Sequence, residues 1–316
     1  MRLYPRRGFT GLLLALLGSS WRSGSRATAR EPASPQHSDS GEKTAPPRVQ
    51  LRRYRADAAI LLLGITIFRR SGVGGGQASL EESSDGASTT RTLFFAAGSD
   101  PARAHGLNRL GWIREVVRES NSIPVEAQYF GVLTASPEES LEHAKKSIST
   151  PAAKNSIYSA VSGRNTPGES RSAITHFELN GGAQWSDKRL IETAQSTFQD
   201  KVEWRATSWP KATNQTPPTF LFELATLLRQ RTPHAAGRYV YNEQEYLLEL
   251  DAPQFGKPTG KADRLLPVHG KIRNQRTGGL TIFTVWMEDS PGSIVPVRIE
   301  YQPRSFLRLV FEPADV

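Results

Sequence analysis

The sequence contains no cysteine, and this absence removes several kinds of chemistry. Disulfide bonds, a thiolate nucleophile and a zinc site with cysteine ligands are all excluded. A bacterial lipoprotein anchor within these 316 residues is excluded as well, because it requires an acylated cysteine. The hydrophobic fraction of 37% is adequate for a core, although long Ser/Thr/Gly/Pro stretches keep it lean.

Recognisable catalytic and cofactor-binding motifs are also missing. Neither H-E-x-x-H nor G-x-S-x-G occurs, and the six histidines are scattered without metal-ligand spacing. Gly72 to Gln77 lacks the last glycine of a dinucleotide-binding motif, and Gly256 to Lys261 is one residue too short for a phosphate loop. Glu288 and Asp289 lie in a turn, where carboxylates are usually solvated. The sequence therefore predicts no catalytic residue, cofactor or metal ligand, and it favours a non-enzymatic protein.

The net charge of +9 belongs to one end of the chain. Residues 1–70 contain 13 Lys or Arg and four Asp or Glu, whereas residues 71–316 contain 27 of each sign. A nucleic-acid-binding domain concentrates Lys and Arg on its own surface, where they neutralise phosphates. Because most of the chain is neutral overall, nucleic acid is not a predicted partner.

The first 30 residues resemble a targeting sequence. Three arginines within Met1 to Arg7 precede the apolar run Phe9 to Leu17, which is the order of a secretory signal peptide. Residues 1–30 also carry six arginines and no acid, as organelle transit peptides do, and a dispensable disordered tail is a third interpretation. We expect export to the periplasm or cell envelope, with organelle targeting as the alternative.

A second apolar segment, residues 57–70, follows a stretch at residues 31–56 that is predicted to be a disordered linker. Within it, Ala58 to Phe68 is marginal in length for a transmembrane helix. It fits a second leader behind an alternative translation start, a buried strand, or a short anchor that dips into a membrane. Membrane association through residues 9–17 or 58–68 is therefore an expectation.

The middle of the chain is predicted to contain two linkers and a small helical or mixed region. Residues 71–98 are rich in Gly and Ser, and residues 151–172 in Ser, Asn, Gly and Pro, which favours flexible linkers. Between them, residues 99–150 include a capping box that begins at Ser136. Helical spacing also relates five apolar residues: Leu107, Leu110, Ile113, Val116 and Val117.

Residues 173–316 are predicted to form a mainly β (α+β) domain. Period-2 alternation is clearest from Val268 to Phe311, where short turns join four segments into an antiparallel meander. Two helices precede the meander, one capped by Ser186 and one from Phe220 to Arg229 with an apolar stripe. We expect a curved or half-barrel sheet packed by these two helices, with a small helical accessory region and a disordered N-terminus.

The order of elements in this half resembles the bacterial family catalogued as domain of unknown function 3108. The resemblance rests on the apolar helix, on Gly237-Arg238-Tyr239, and on the strand that begins at Tyr246. It is sharpest in Val285-Trp286 and in the run Pro296 to Glu300, which reads Pro-Val-Arg-Ile-Glu. The resemblance implies an exported, mostly antiparallel β protein of the bacterial envelope. It implies no reaction, because the family is uncharacterised.

Apolar side chains of this half suggest a binding face. If the sheet curves, one of its faces can line a groove for an acyl chain. The residues predicted for this face are Phe220, Leu224, Leu228, Tyr246, Trp286 and Tyr301. The alternative is that they simply pack beneath the helices. We expect a module that binds a lipid-like ligand or an envelope protein; a hydrolase-type enzyme with an unrecognised site and a structural or assembly factor are the alternatives.

Overall fold

The computed structural model shows a mainly β protein built on one antiparallel sheet. Described are residues 46–62, 65–100, 102–104, 109–134, 155–180, 183–198, 202–208, 215–252, 265–290, 292–304 and 307–314. Within these ranges the sheet has 14 strands. They are β1 (Arg48–Leu62), β2 (Ile65–Asp85), β3 (Ser88–Ser99), β4 (Leu110–Ser120), β5 (Ile123–Thr134), β6 (Asn155–Thr166), β7 (Glu169–Asn180), β8 (Arg205–Ser208), β9 (His234–Tyr241), β10 (Gln244–Asp251), β11 (Leu265–Asn274), β12 (Leu280–Glu288), β13 (Arg298–Arg304) and β14 (Leu307–Pro313).

Neighbours in the sheet are neighbours in the chain, with one exception. From one edge the order runs from β8 back to β1, and it then continues from β14 back to β9. The exception is the pairing of β1 with β14, which places Ala56 opposite Phe311. The N-terminal and C-terminal meanders are therefore halves of one continuous ladder.

The sheet curls until distant strands meet across its inner face. Nine strands separate β5 from β9 in the sheet, yet the rings of Tyr129 and Tyr241 stack with centroids 4.5 Å apart. The backbone N–H of Asn242 also donates to the Tyr129 hydroxyl at 3.0 Å. Right-handed twist accumulated over many strands gives a sheet this curvature. Within the described residues no ladder joins the edge strands β8 and β9, so the sheet is an unclosed, barrel-like roll.

Two helices cover opposite faces of the roll. Helix α1 (Lys188–Thr197) buries Leu190 and Ala194 against the outer face of strands β4 to β7. Helix α2 (Phe220–Gln230) lies against the inner face and contributes Phe220 and Leu228 to the main core. The prediction of a curved antiparallel sheet packed by two helices is confirmed. The cap of α1 is Asp187 rather than Ser186.

Where the structure describes them, the segments predicted to be linkers form strands, so the prediction is wrong for those residues. Residues 48–56 lie in β1, residues 71–98 in β2 and β3, and residues 155–172 largely in β6 and β7. The apolar segment at residues 57–70 completes β1 and begins β2. Glycine and serine supply few packing atoms, but Gly74 to Glu82 of β2 pair on both sides, with β1 and β3, and their backbone hydrogen bonds are satisfied there.

The helical spacing around Leu110 to Val117 is also misleading, because residues 110–120 form strand β4. The inner face of β4 carries Ile113 and Val117, which lie in the main core, but also the buried carboxyl group of Glu115. The outer face packs Leu110 in the outer cluster and leaves Arg114 exposed. Polar residues therefore lie on the buried face and an apolar residue on the outer one, and this hides the alternation by which sequence identifies a strand. Tertiary burial thus overrides the apparent helical period.

The C-terminal meander agrees with the sequence except in one boundary. Strands β11 to β14 pair in succession, but β13 begins at Arg298 rather than at Ile294. The leader-like residues 1–30, the capping box at Ser136 and the loop from Gly256 to Lys261 lie outside the described residues. In the part of the chain that is described, no helix has the length and apolar character needed to cross a membrane.

Candidate functional site

An apolar cavity of about 90 Å³ lies between helix α2 and the inner face of the sheet. We call it the inner cavity. Its walls come from α2, from β2 and β3, and from the segment that leads from β12 into β13. The side chains that define it are Leu80, Phe95, Leu224, Leu228, Val285 and Val295. Leu224 is only half-buried, so the cavity reaches the surface beside the helix.

Helix α2 is fastened at its N-terminus by a carboxylate from a distant strand. The N-cap residue, Thr219, makes no capping bond of its own. Instead Glu115 on β4 accepts hydrogen bonds from the Thr219 hydroxyl and from the backbone N–H groups of Leu221 and Phe222, the latter two at 2.9 Å. Free N–H groups and the positive end of the helix dipole favour an anion at this position. Glu115 therefore holds one end of the cavity wall.

Burial acts against the charge of this carboxylate. Glu115 is completely buried, and burial raises its pKa to about 7 even though the hydrogen bonds that it accepts lower it. Glu223, one turn into the same helix, shows the same direction: burial raises its pKa to about 7. Its carboxylate packs against Gly237 on β9, where a larger side chain would collide with it. Two carboxyl groups at the start of α2, Glu115 from β4 and Glu223 of the helix itself, thus have pKa values that burial raises towards neutrality.

The C-terminal half of α2 is held by half-buried ion pairs. Glu82 on β2 accepts from Arg91 on β3 at 2.7 Å and also from Arg229 on the helix. Arg231, at the C-cap, pairs with Asp289 after β12. These contacts connect the helix to both walls of the inner cavity.

The six residues predicted for the binding face divide into three groups. Phe220, Leu224 and Leu228 line the inner cavity. Tyr246 and Tyr301 belong to the inner core but do not line the cavity; Tyr246 stacks on Tyr239 with centroids 5.0 Å apart. Both rings are buried in the main core, to which residues of α2 also belong.

Trp286 requires a correction, because it lies on the outer face of the sheet. On β12 the buried positions are Phe283, Val285 and Met287, and Trp286 alternates with them. Its ring is covered by the guanidinium of Arg298, 4.7 Å from the centroid. Strict alternation along β12 already contained this information, since neighbouring residues of a strand face opposite sides.

Sequence patterns missed most of the remaining cavity wall. Leu80 and Phe95 lie on the strands that were interpreted as a flexible linker, and Val295 lies in the irregular segment before β13. Their role depends on the curl that brings β2 and β12 together. Glu115 was also missed, because the sequence gives no sign of a cap that acts across 106 residues.

One Ser–His pair bears on the alternative that the protein is a hydrolase-type enzyme. The Ser159 hydroxyl and His176 Nδ1 are 3.0 Å apart on paired strands β6 and β7, within reach for activation of a nucleophile. Ser159 is completely buried, however, so a substrate carbonyl has no access to its oxygen. Among the described residues no group of three or more His, Asp or Glu is placed to hold a metal ion. The pair is a cross-strand hydrogen bond of the sheet.

Comparison with known proteins adds little to this geometry. No family model matches the sequence, and no curated protein matches it. The chain is similar to the crystal structure of a beta-barrel-like protein of domain of unknown function DUF1849 from Brucella abortus, at 8% identity and a TM-score of 0.40. The match covers 84% of this chain and 98% of that chain. A likeness at this level carries no functional argument, and the resemblance to domain of unknown function 3108 stays a prediction.

Proposed function

We propose that this protein is a non-enzymatic binding module whose inner cavity takes the apolar part of a lipid-like ligand. The observation that carries the proposal is the cavity itself, whose walls are apolar side chains from a helix and four strands. An apolar cavity stays dry, because water inside it would have no polar partners, and it can therefore take apolar atoms without displacing bound solvent.

The size and the open side of the cavity set the kind of ligand. A volume of about 90 Å³ holds one end of an acyl chain rather than a whole lipid. The half-buried Leu221 and Leu224 mark the side from which the chain would enter, and the polar end of the ligand would then remain in solvent. The leader-like residues 1–30 support a place in the periplasm or cell envelope for this module, and that location is part of the proposal.

The test asks first whether the full chain binds a lipid-like ligand, and then whether substitutions that fill the cavity weaken this binding. The protein is purified from a bacterial envelope fraction, weighed by native mass spectrometry and extracted with organic solvent, and it is then titrated with a fluorescent fatty acid. We expect a lipid-like mass to co-purify and the probe to bind. Leu224→Trp and Ala78→Ile fill the cavity from opposite walls. Each should weaken the binding of the probe by about tenfold, because the filled space no longer buries a few methylene groups of the ligand, each of which is worth ~0.8 kcal/mol.

Leu280→Trp serves as the matched control, because Leu280 is 49% exposed on β12 and lies outside the cavity. It should leave probe binding unchanged. Circular dichroism verifies that each variant is folded. A folded wild-type chain that takes neither a co-purified lipid nor the probe would refute the proposal, and so would binding that both cavity-filling variants leave intact.

A further inference from the structure

A second cleft, on the outer face of the roll, is unlike the inner cavity in its chemistry. It has a volume of about 400 Å³ and lies between α1 and the strands β2 to β4. We call it the outer cleft. Its aromatic wall is formed by Phe94, Trp112 and Trp185, and its polar side chains include Gln77, Lys188 and Glu192. Its volume falls within the roughly 300–1,000 Å³ that is typical of small-molecule sites.

The aromatic wall of the outer cleft is held rigidly. The ring of Trp112 makes edge-to-face contacts with Phe94 at 5.3 Å and with Phe130 at 5.9 Å, so neighbours on β3 and β5 fix its orientation. Trp185 lies on the turn that leads into α1, and its indole edge faces Gly75 on β2. The glycine leaves the strand bare beneath the ring. A wall fixed in this way binds a flat apolar surface with little loss of conformational entropy.

The charges at the outer cleft cancel. Asp187 pairs with Arg189 at 2.7 Å and accepts the backbone N–H of Arg189 at the start of α1. The positive end of the α1 dipole thus already has its anion, which removes the main attraction for a phosphate or carboxylate ligand. Lys188 and Glu192 contribute one charge of each sign. A neutral ligand fits this balance better than either ion.

We propose that the outer cleft binds the ring of a neutral saccharide. A sugar ring presents a face of C–H groups, which stacks on an indole, and an edge of hydroxyls, which both donate and accept hydrogen bonds. Trp112 and Trp185 provide the stacking surface. The Gln77 amide, the Lys188 ammonium and the Glu192 carboxylate supply donors and acceptors around it. This site lies on the other face of the sheet from the inner cavity, with Phe94 common to both linings, and it does not depend on the function proposed for that cavity.

The experiment titrates the full chain with cellobiose, chitobiose and maltose, and in parallel with choline and inorganic phosphate. Binding is followed by intrinsic tryptophan fluorescence and by calorimetry. We expect at least one disaccharide to bind with a dissociation constant of ~1 mM, which is a weak but measurable affinity, and to shift the fluorescence. Trp185→Ala should weaken this binding by about tenfold, and Gln77→Leu by a smaller factor.

Trp204→Ala is the matched control, because Trp204 is 51% exposed and lies outside the cleft. It should leave saccharide binding intact, and Trp185→Ala should leave fatty-acid binding in the inner cavity intact. A preference for choline would make the cleft an aromatic cage for cations and would overturn the proposal. Failure of all three disaccharides to bind, or binding that Trp185→Ala does not change, would overturn it too.

Discussion

At the scale of single residues, the most consequential group is the carboxyl of Glu115. It is completely buried, it replaces the missing side-chain cap of α2, and burial raises its pKa from the ordinary 4.5 to about 7. Between these two values the folded protein retains a proton that the unfolded chain has lost. The contribution of Glu115 to stability is therefore greatest below pH 4.5 and falls as the pH rises towards 7.

This linkage predicts the effect of Glu115→Gln. In the wild type the free energy of unfolding should decrease between pH 4.5 and 7, by up to about 1.4 kcal/mol per pH unit for this carboxyl, with a further decrease in the same direction from Glu223. The substitution should flatten the slope. Glu82 and Glu126 behave differently, because hydrogen bonds and ion pairs lower their pKa values. Their contributions to stability are lost at a pH below the range from 4.5 to 7.

Urea unfolding at several pH values provides the measurement. Glu81→Gln is the control, because Glu81 is exposed on β2, and this variant should keep the wild-type slope. An equal slope in Glu115→Gln and the wild type would show that Glu115 does not change its protonation in this range.

At the scale of elements, two hairpins turn through residues with left-handed backbone. Asn121 and Ser122 connect β4 to β5, and Asn242 and Glu243 connect β9 to β10, with φ between 48° and 63°. Positive φ at both central residues defines a type I′ turn, whose twist matches that of the paired strands. Asparagine tolerates this region, but glutamate does not favour it.

Glu243→Gly should therefore stabilise the protein. Relief of the left-handed Cβ is worth ~1–2 kcal/mol, and the added entropy of an unfolded glycine costs about 0.5–1 kcal/mol, which leaves a gain of up to roughly 1.5 kcal/mol. Glu245→Gly, two residues later within β10, should destabilise instead, because it loses strand packing and the ion pair with Arg238. The denaturant midpoints of the two variants are compared with that of the wild type. Shifts of the same sign would show that the left-handed backbone at Glu243 does not limit stability.

At the scale of the whole molecule, the roll is held by contacts that no ladder provides. Tyr241 on β9 stacks on Tyr129 of β5, and its hydroxyl lies directly over Gly131, where no Cβ would fit. A close approach of a ring to a bare backbone fixes how tightly the sheet curls. The spacing between β5 and β9 therefore depends on this contact.

Gly131→Val should push these strands apart. We expect a loss of about 1–3 kcal/mol, as overpacked cores show, together with a weaker near-ultraviolet signal from the tyrosine stack. Gly279→Val, in the exposed turn before β12, should change stability by less than ~0.5 kcal/mol. Unfolding curves and circular dichroism compare the two. Equal stability of both variants would show that the contact between β5 and β9 does not hold the roll.

The sequence by itself determined the local elements of the C-terminal half. Period-2 alternation along β11, β12 and β14, and the helical stripe that includes Phe220 and Leu228, identified strands and a helix because their signals lie in neighbouring residues. The same alternation was available for Trp286, which faces away from Val285, but the prediction of the binding face did not apply it. Local pattern also made the absence of a familiar catalytic motif visible.

Only the tertiary structure decided the rest. The glycine-rich residues 71–98 became strands because neighbouring strands pair their backbone. Residues 110–120 became a strand because β3 and β5 pair with them on either side and Ile113 and Val117 are buried in the core. The inner cavity, the cap that Glu115 provides for α2 and the outer cleft each join residues that lie far apart in the chain. Such contacts depend on the curl of the whole sheet, which no stretch of neighbouring residues encodes.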